Sequence, residues 1–317
     1  MTDGHRHDRP LQAAIVVVCY NQAHFLADAL GSAVDQSLPA TEVVLVDDGS
    51  DDDTEAVTRR FPTVRYIRQD NAGLPAARNA GLNAVGSGAV LFLDADDRLD
   101  RDALAMALPA LAATPSLAFV FGGYREVDEH LAPLSLHPPA SGDASLAGLL
   151  RGGNHIAMHG TVLYDTAKLR AAGGFDEGLT SCEDYDVYLR LARGHGCAAY
   201  PHIAADYRRH GRSMSRHRLR MIDTALRVLA RHSRSREERR LARHGRAIML
   251  NYYGPALVAD LHQAVRERRR DVVVALLRGI AARPALWPFA VRRIGRAAIT
   301  PLRWMAAHRP FRGPATR

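Results

Sequence analysis

Short β-branched runs alternate with stretches of helical spacing along the first third of the chain. Residues 13–19 (Ala-Ala-Ile-Val-Val-Val-Cys) read as a strand buried on both faces. From His24 to Gln36, Phe25, Leu26, Ala29, Leu30, Ala33 and Val34 mark one face of a helix, which Ser37-Leu38-Pro39 ends. A second strand spans Glu42–Val46, a helix roughly 54–60, and a third strand Val64–Arg68. After a loop at Asn71–Pro75, a helix over Ala76–Val85 closes at Gly86-Ser87-Gly88, the apolar run Val90–Leu93 follows, and a helix extends from about Asp100 to Thr114. Strand and helix alternate throughout, which predicts an α/β fold with a parallel, doubly wound sheet.

The pattern loosens afterwards. Residues 117–127 predict a strand kinked at Gly122-Gly123, and the Pro-, Ser- and His-rich stretch 129–142 predicts a loop. A short helix is expected over Asp143–Leu150, a strand over Thr161–Tyr164, a helix over Asp165–Ala172 and a turn at Gly173–Asp176. Glu183-Asp184 introduces a helix from Tyr185 to Arg193, and 197–200 and 205–208 read as two short strands. From about residue 216 the chain is helical and Arg-rich to about 280, after which prolines at 284, 288, 301, 310 and 314 break any long helix. The expected organisation is a disordered tail over 1–11, an α/β domain over 12–216 and a mainly helical basic region over 217–317.

The strands end in acid. Val90–Leu93 runs into Asp94, Asp96 and Asp97, and Glu42–Val46 into Asp47-Asp48. Right-handed crossovers put both ends on the carboxyl edge of the sheet, where open α/β sheets bind ligands, and Tyr20-Asn21 joins them there. Carboxylates so close together repel unless a positive group intervenes, and a hard divalent cation is the usual one. No Walker A loop and no Gly-x-Gly-x-x-Gly motif is present, which argues against an ATPase or dinucleotide site.

The formal charge of +8 divides sharply: residues 1–207 carry 15 Lys+Arg against 28 Asp+Glu, and residues 208–317 carry 27 against 6. Lys168 is the only lysine. An acidic half and a basic half suggest separate partners, and the basic half suits an anionic surface. Trp287 and Trp304, among Arg292, Arg293, Arg296 and Arg303, have the aromatic and basic character of a segment lying at a membrane surface. Three cysteines without metal-like spacing suggest a reducing compartment. With no apolar leader over Met1–Pro10 and no run long enough to span a bilayer, the expected location is the cytoplasm, with peripheral contact at the inner face of the membrane.

Seven short motifs then occur in order: Val17-Val18-Cys19-Tyr20-Asn21; Val46-Asp47-Asp48-Gly49-Ser50 with Asp52 and Thr54; Gly73-Leu74-Pro75-Ala76-Ala77-Arg78-Asn79; Leu93-Asp94-Ala95-Asp96-Asp97; Gly173-Gly174-Phe175-Asp176-Glu177; Glu183-Asp184-Tyr185-Asp186; and Tyr207-Arg208 with His210, Ser213 and Ser215. Each is weak alone. Together, over about residues 12–216, they resemble the inverting glycosyltransferases of family 2, which have a GT-A fold.

The resemblance implies a nucleotide-diphosphate sugar donor, UDP first among the nucleotides, a glycan or lipid-linked acceptor, and Mn²⁺ or Mg²⁺. It implies that Asp48 accepts the base N–H with Tyr20 and Asn21 nearby, and that Arg78 faces the nucleotide side of the cleft. Asp96 is implied as the direct metal ligand, Asp94 as a contact to ribose or metal-bound water, and His210 as a metal or diphosphate contact. Asp184 resembles the general base, with Glu183 the alternative or a positioner of the acceptor. Arg208, Arg212, Ser213 and Ser215 are expected in a loop that orders over the diphosphate. His155, Met158 and His159 fall in the region expected to line the acceptor side. A nucleotidyltransferase would want a glycine-rich basic loop where Cys19–His24 stands, and a nucleic-acid binder would leave the seven motifs unexplained.

Overall fold

The computed structural model describes residues 11–139, 143–211 and 217–289. Among them, nine strands form one sheet. The first half follows the predicted alternation: β1 (Ala13–Cys19), α1 (Ala23–Val34), β2 (Glu42–Asp47), α2 (Thr54–Thr58), β3 (Val64–Arg68), α3 (Leu74–Ala84), β4 (Ala89–Asp94), the two-residue β5 (Arg98–Leu99) and α4 (Ala103–Ala112). β3, β2, β1 and β4 lie side by side and parallel. All seven side chains of β1 are buried, as its uninterrupted apolar run requires. The register sets Cys19 beside Asp47 and Val18 beside Asp94, so both acidic strand ends flank the end of β1.

The second half comprises β6 (Leu117–Val127), β7 (Pro133–His137), α5 (Leu146–Gly152), β8 (Val162–Asp165), α6 (Thr166–Ala171), α7 (Glu183–Ala192) and β9 (Gly196–Arg208). β8 runs antiparallel between β4 and β6, while β9 runs parallel to β6. Two expectations change. Pro133–His137, read as loop, pairs with β6 as a hairpin strand. The two short strands expected at 197–200 and 205–208 are one 13-residue strand. Pro201 made the sequence look interrupted, since proline cannot donate to a ladder. The strand absorbs it in a register shift: Phe121 pairs with Ala199 and Gly123 already with Ile203. Gly122 is required at this crossing, because a Cβ there would stand 2.9 Å from both the Ala204 Cβ and the His202 carbonyl oxygen.

The helices α8 (Arg218–His232), α9 (Arg236–Arg266) and α10 (Arg270–Ala281) complete the described chain. Ser235 opens α9 with a full capping box to Glu238. Ala225, Val228, Leu229, Ala242 and Met249 of α8 and α9 join the apolar cluster that backs the sheet. Ile222, Leu257, Leu261, Ile280 and Leu286 form a separate cluster among the last helices. Trp287 packs against this cluster and donates its indole N–H to the Ala281 carbonyl (3.2 Å), so its ring is turned inward. Trp304 and the arginines around it, like residues 1–10 of the expected tail, lie outside the described residues. Among the described residues, no helix is long and apolar enough to cross a membrane.

Candidate active site

A cavity of about 490 Å³ opens at the carboxyl edge of β1, β2 and β4. Tyr20, Asp48, Asp94 and Asp96 line it, together with the loop Asn71–Pro75, Leu179-Thr180 and Tyr207. Tyr20 is 48% exposed.

Asp48 forms the far wall. Its Oδ1 accepts from the Gln69 side chain (2.7 Å) and the Ala72 amide (2.9 Å), and its Oδ2 accepts from the Gly73 amide (2.8 Å). Gly73, at φ 91°, occupies a conformation that only glycine adopts readily, which is what turns its N–H onto Asp48. Neighbouring Asp47 is wholly buried, taken up by Arg68 (2.8 Å) and the Tyr66 hydroxyl (2.6 Å). Asn21 has a structural use. Its amide oxygen accepts from the Asp51 N–H (2.8 Å), its own N–H donates to Ser50 Oγ (2.9 Å), and its φ is 54°. It ties the two strand-end loops together and, unlike Tyr20, does not line the cavity.

Asp94, Asp96 and Asp97 bring one carboxylate oxygen each to within 4.8 Å of one another, and Asp94 and Asp96 are partly exposed. Oxygen donors at this spacing, on the rim of a cavity, fit a hard divalent cation. Asp97 sits behind them, buried, accepting the Arg208 N–H (2.9 Å), and its burial beside Asp96 and Asp94 raises its pKa well above the carboxylate range. Asp96 Oδ2 accepts from Gln22 Nε2 (3.0 Å) and lies 2.8 Å from His210 Nε2. A carboxylate can only accept, so Nε2 of His210 carries the proton here. The contact places His210 directly beside the carboxylate cluster. Gln22 was adjacent to the Tyr20-Asn21 motif, yet nothing in its spacing linked it to Asp96, 74 positions on.

Arg78, expected on the nucleotide side of the cleft, is buried at 2% exposure. Its guanidinium bridges Glu183 Oε1 (2.5 Å) and Asp94 Oδ1 (2.8 Å). Burial opposes its charge, but Asp94 and Glu183 outweigh that and hold its pKa above the usual range. Glu183 is itself buried and paired with Arg78.

Asp184, the next residue, is differently placed. It is partly exposed, its Oδ1 accepts from its neighbour's N–H at Tyr185 (2.7 Å), and its Oδ2 accepts from Asn154 Nδ2 (3.3 Å). Desolvation, then the charge of Glu183, pushes its pKa up to about 6. Cys182 just before α7 holds a left-handed φ of 57°, a strained turn that launches Glu183 and Asp184 from the helix start. Asn154 had no sequence signal, because its link to Asp184 exists only once α5 packs beside α7. His159, buried among Phe92, Tyr164 and Phe175, is a core histidine, and burial lowers its pKa. Arg208 pairs with Asp28 (2.7 Å) and lies over the Phe25 ring. Arg212, Ser213 and Ser215 lie outside the described residues.

The profile of glycosyl transferase family 2 matches residues 14–171. The chain belongs to this family. It is 29% identical over 204 residues to an uncharacterized glycosyltransferase of Rickettsia conorii, the match covering 59% of this chain and 33% of that protein. It is 28% identical over 185 residues to a chondroitin synthase of Escherichia coli, covering 56% of this chain and 26% of that protein. The matched stretch thus spans a third or less of these relatives. Residues 1–349 of S. aureus TarS, solved with UDP-GlcNAc, superpose with a TM-score of 0.63 at 19% identity, covering 94% of this chain and 88% of that one. A mannosyltransferase from Pyrobaculum calidifontis, solved with GDP-Man and Mn²⁺, gives a TM-score of 0.60 at 21% identity, covering 94% and 85%. These neighbours give the GT-A fold to family member and sheet alike.

Proposed function

We propose that the chain is an inverting, divalent-cation-dependent glycosyltransferase that moves a sugar from a nucleoside diphosphate donor, UDP in our reading, to a hydroxyl of a glycan or lipid-linked acceptor in cell-surface polysaccharide synthesis. The observation that carries this is the Asp94–Arg78–Glu183 bridge: one buried guanidinium links the carboxylate cluster to the helix start that presents Asp184. Donor-side charge and acceptor-side base are thereby held in one rigid unit. The synthase named among the relatives and the UDP-GlcNAc complex among the structural neighbours support the substrate class.

Asp48 and Tyr20 would receive the base, the spare lone pair of Asp48 Oδ2 accepting an imide N–H. Asp94 and Asp96 would hold Mn²⁺ or Mg²⁺, whose charge offsets that developing on the departing diphosphate. Asp184 takes the proton of the acceptor hydroxyl as its oxygen attacks C1. The C1–O bond to the diphosphate breaks on the opposite face, so the anomeric centre inverts. A carboxylate with pKa about 6 is mostly ionised at neutral pH, yet more basic than an ordinary aspartate.

The test is release of nucleoside diphosphate from a panel of nucleotide sugars with Mn²⁺ or Mg²⁺. Metal-dependent release from one donor, lost in Asp96→Ala, is expected. No release from any donor together with no metal-dependent nucleotide binding would overturn the proposal.

A further inference from the structure

Beyond Tyr207, the wall of the donor cavity continues as a patterned strand face. In β6, β7 and β9, Tyr124 pairs with His137, and Glu126 pairs with both Ser135 and Tyr207. Alternation along the strands therefore puts these five side chains on one side of the sheet, while Arg125, Arg98 and Asp206 form an ion cluster on the other. The Tyr124 and His137 rings stack at 4.5 Å and 11°, and Tyr207 stands perpendicular to Tyr124 at 6.3 Å. Glu126 is set among them by Ser135 Oγ (3.0 Å), with His137 Nε2 and Arg209 each 3.9 Å away. Tyr124, His137, Glu126 and Tyr207 are all half-buried, which separates them from the fully buried Phe119 and Phe121 earlier on β6.

Aromatic faces interleaved with a carboxylate suit one chemistry well. A pyranose presents a face of C–H bonds, weakly positive, to the negative face of a ring, and a rim of hydroxyls to acceptors such as Glu126. A lipid tail would strip water from the Glu126–Arg209 pair and return no polar contact to either. We propose that Tyr124, His137 and Glu126, with Tyr207 at the junction to the donor cavity, form a subsite for a sugar ring of the acceptor. The inference rests on the glycosyltransferase reading and narrows it: the reacting end of the acceptor is a sugar rather than a lipid phosphate or a protein side chain.

The experiment compares Tyr124→Ala, Tyr124→Phe and His137→Ala with wild type in two assays, donor hydrolysis without acceptor and transfer to tagged mono- and disaccharides. Tyr124→Ala and His137→Ala should raise acceptor KM about tenfold, the scale of one lost ring contact. Both should leave donor hydrolysis unchanged, and Tyr124→Phe, which keeps the ring, should behave as wild type. An unchanged acceptor KM, or equal loss of hydrolysis and transfer in both alanine variants, would overturn the subsite. So would an enzyme that hydrolyses a donor yet transfers to no sugar. Absence of donor hydrolysis in the wild type would instead remove the glycosyltransferase reading, and the subsite with it.

Discussion

As the proposed base, Asp184 meets two opposed demands. To take a proton it must be ionised, and to be a stronger base than water-exposed aspartate it must be poorly solvated. Its pKa near 6 is the compromise. Transfer should therefore rise with pH through about 6 and level off above it, as a rate profile of transfer at saturating donor would show. The same shift has a stability consequence of defined sign. The folded-state pKa lies above the unfolded value of ~3.9, so ionising Asp184 costs stability that is lost as pH rises through about 6. Asp184→Asn should reduce transfer by ~10²–10⁴-fold and yet melt higher than wild type at pH 8, by an amount worth about 1–3 kcal/mol, with the gain fading below pH 5. The Asn154 Oδ1 atom, buried without a hydrogen-bond partner, would gain a donor in the new amide after a flip of its own. A lower melting temperature at pH 8 would count against the assigned burial. Arg78 is the opposite case, since removing it strands Glu183 in the interior. Arg78→Ala should cost roughly 3–5 kcal/mol, the usual penalty for half of a buried pair, and Arg78→Lys should recover little, because one ammonium cannot replace a fork that reaches both Asp94 and Glu183. Thermal melts of the two variants decide this.

At the scale of elements, the proposed base depends on helices that carry no motif. α9 lies against α5 so closely that a Cβ on Gly245 would stand 2.2 Å from the Leu150 carbonyl oxygen, and Met249 packs on Gly153. That contact holds the residue after Gly153, Asn154, against Asp184. Gly245→Ala should destabilise by about 1–3 kcal/mol through overpacking, although alanine favours an open helix by about 1 kcal/mol. It should also lower transfer more than donor hydrolysis, since it moves the base and not Asp48 or Asp96. Equal loss in both assays would show that α9 supports the whole domain rather than the base. Such dependence also explains what could be read in advance. Asp48, Asp94 and Asp96 were legible because a buried strand places its last residues at one edge whatever else happens. Arg78 was legible as a site residue but not as a buried one, since its spacing on α3 is equally consistent with a surface position, and only the packing of α7 makes it a buried link. The hairpin strand Pro133–His137 was hidden by prolines at 133, 138 and 139, which on an edge strand cost few ladder bonds.

For the molecule as a whole, charge decides what can bind. The cavity proposed for the donor is rimmed by Asp48, Asp94 and Asp96, and Arg78, the cation beneath it, is already held by two carboxylates. A nucleoside diphosphate brings further negative charge to this edge, so nucleotide alone should bind poorly and the cation should act as its partner. UDP without metal should leave the melting temperature nearly unchanged, and Mn²⁺ or Mg²⁺ alone should shift it slightly. Both together, at about 100 times the Kd, should stabilise by ~2.7 kcal/mol, a rise of roughly 4 °C for a chain of this size. Asp96→Ala should abolish the joint shift while leaving the fold intact, because Asp96 lies on the partly exposed rim and not in the core. An equal shift with UDP alone in EDTA would mean that positive side chains supply the missing charge, and the carboxylate cluster would then need another role.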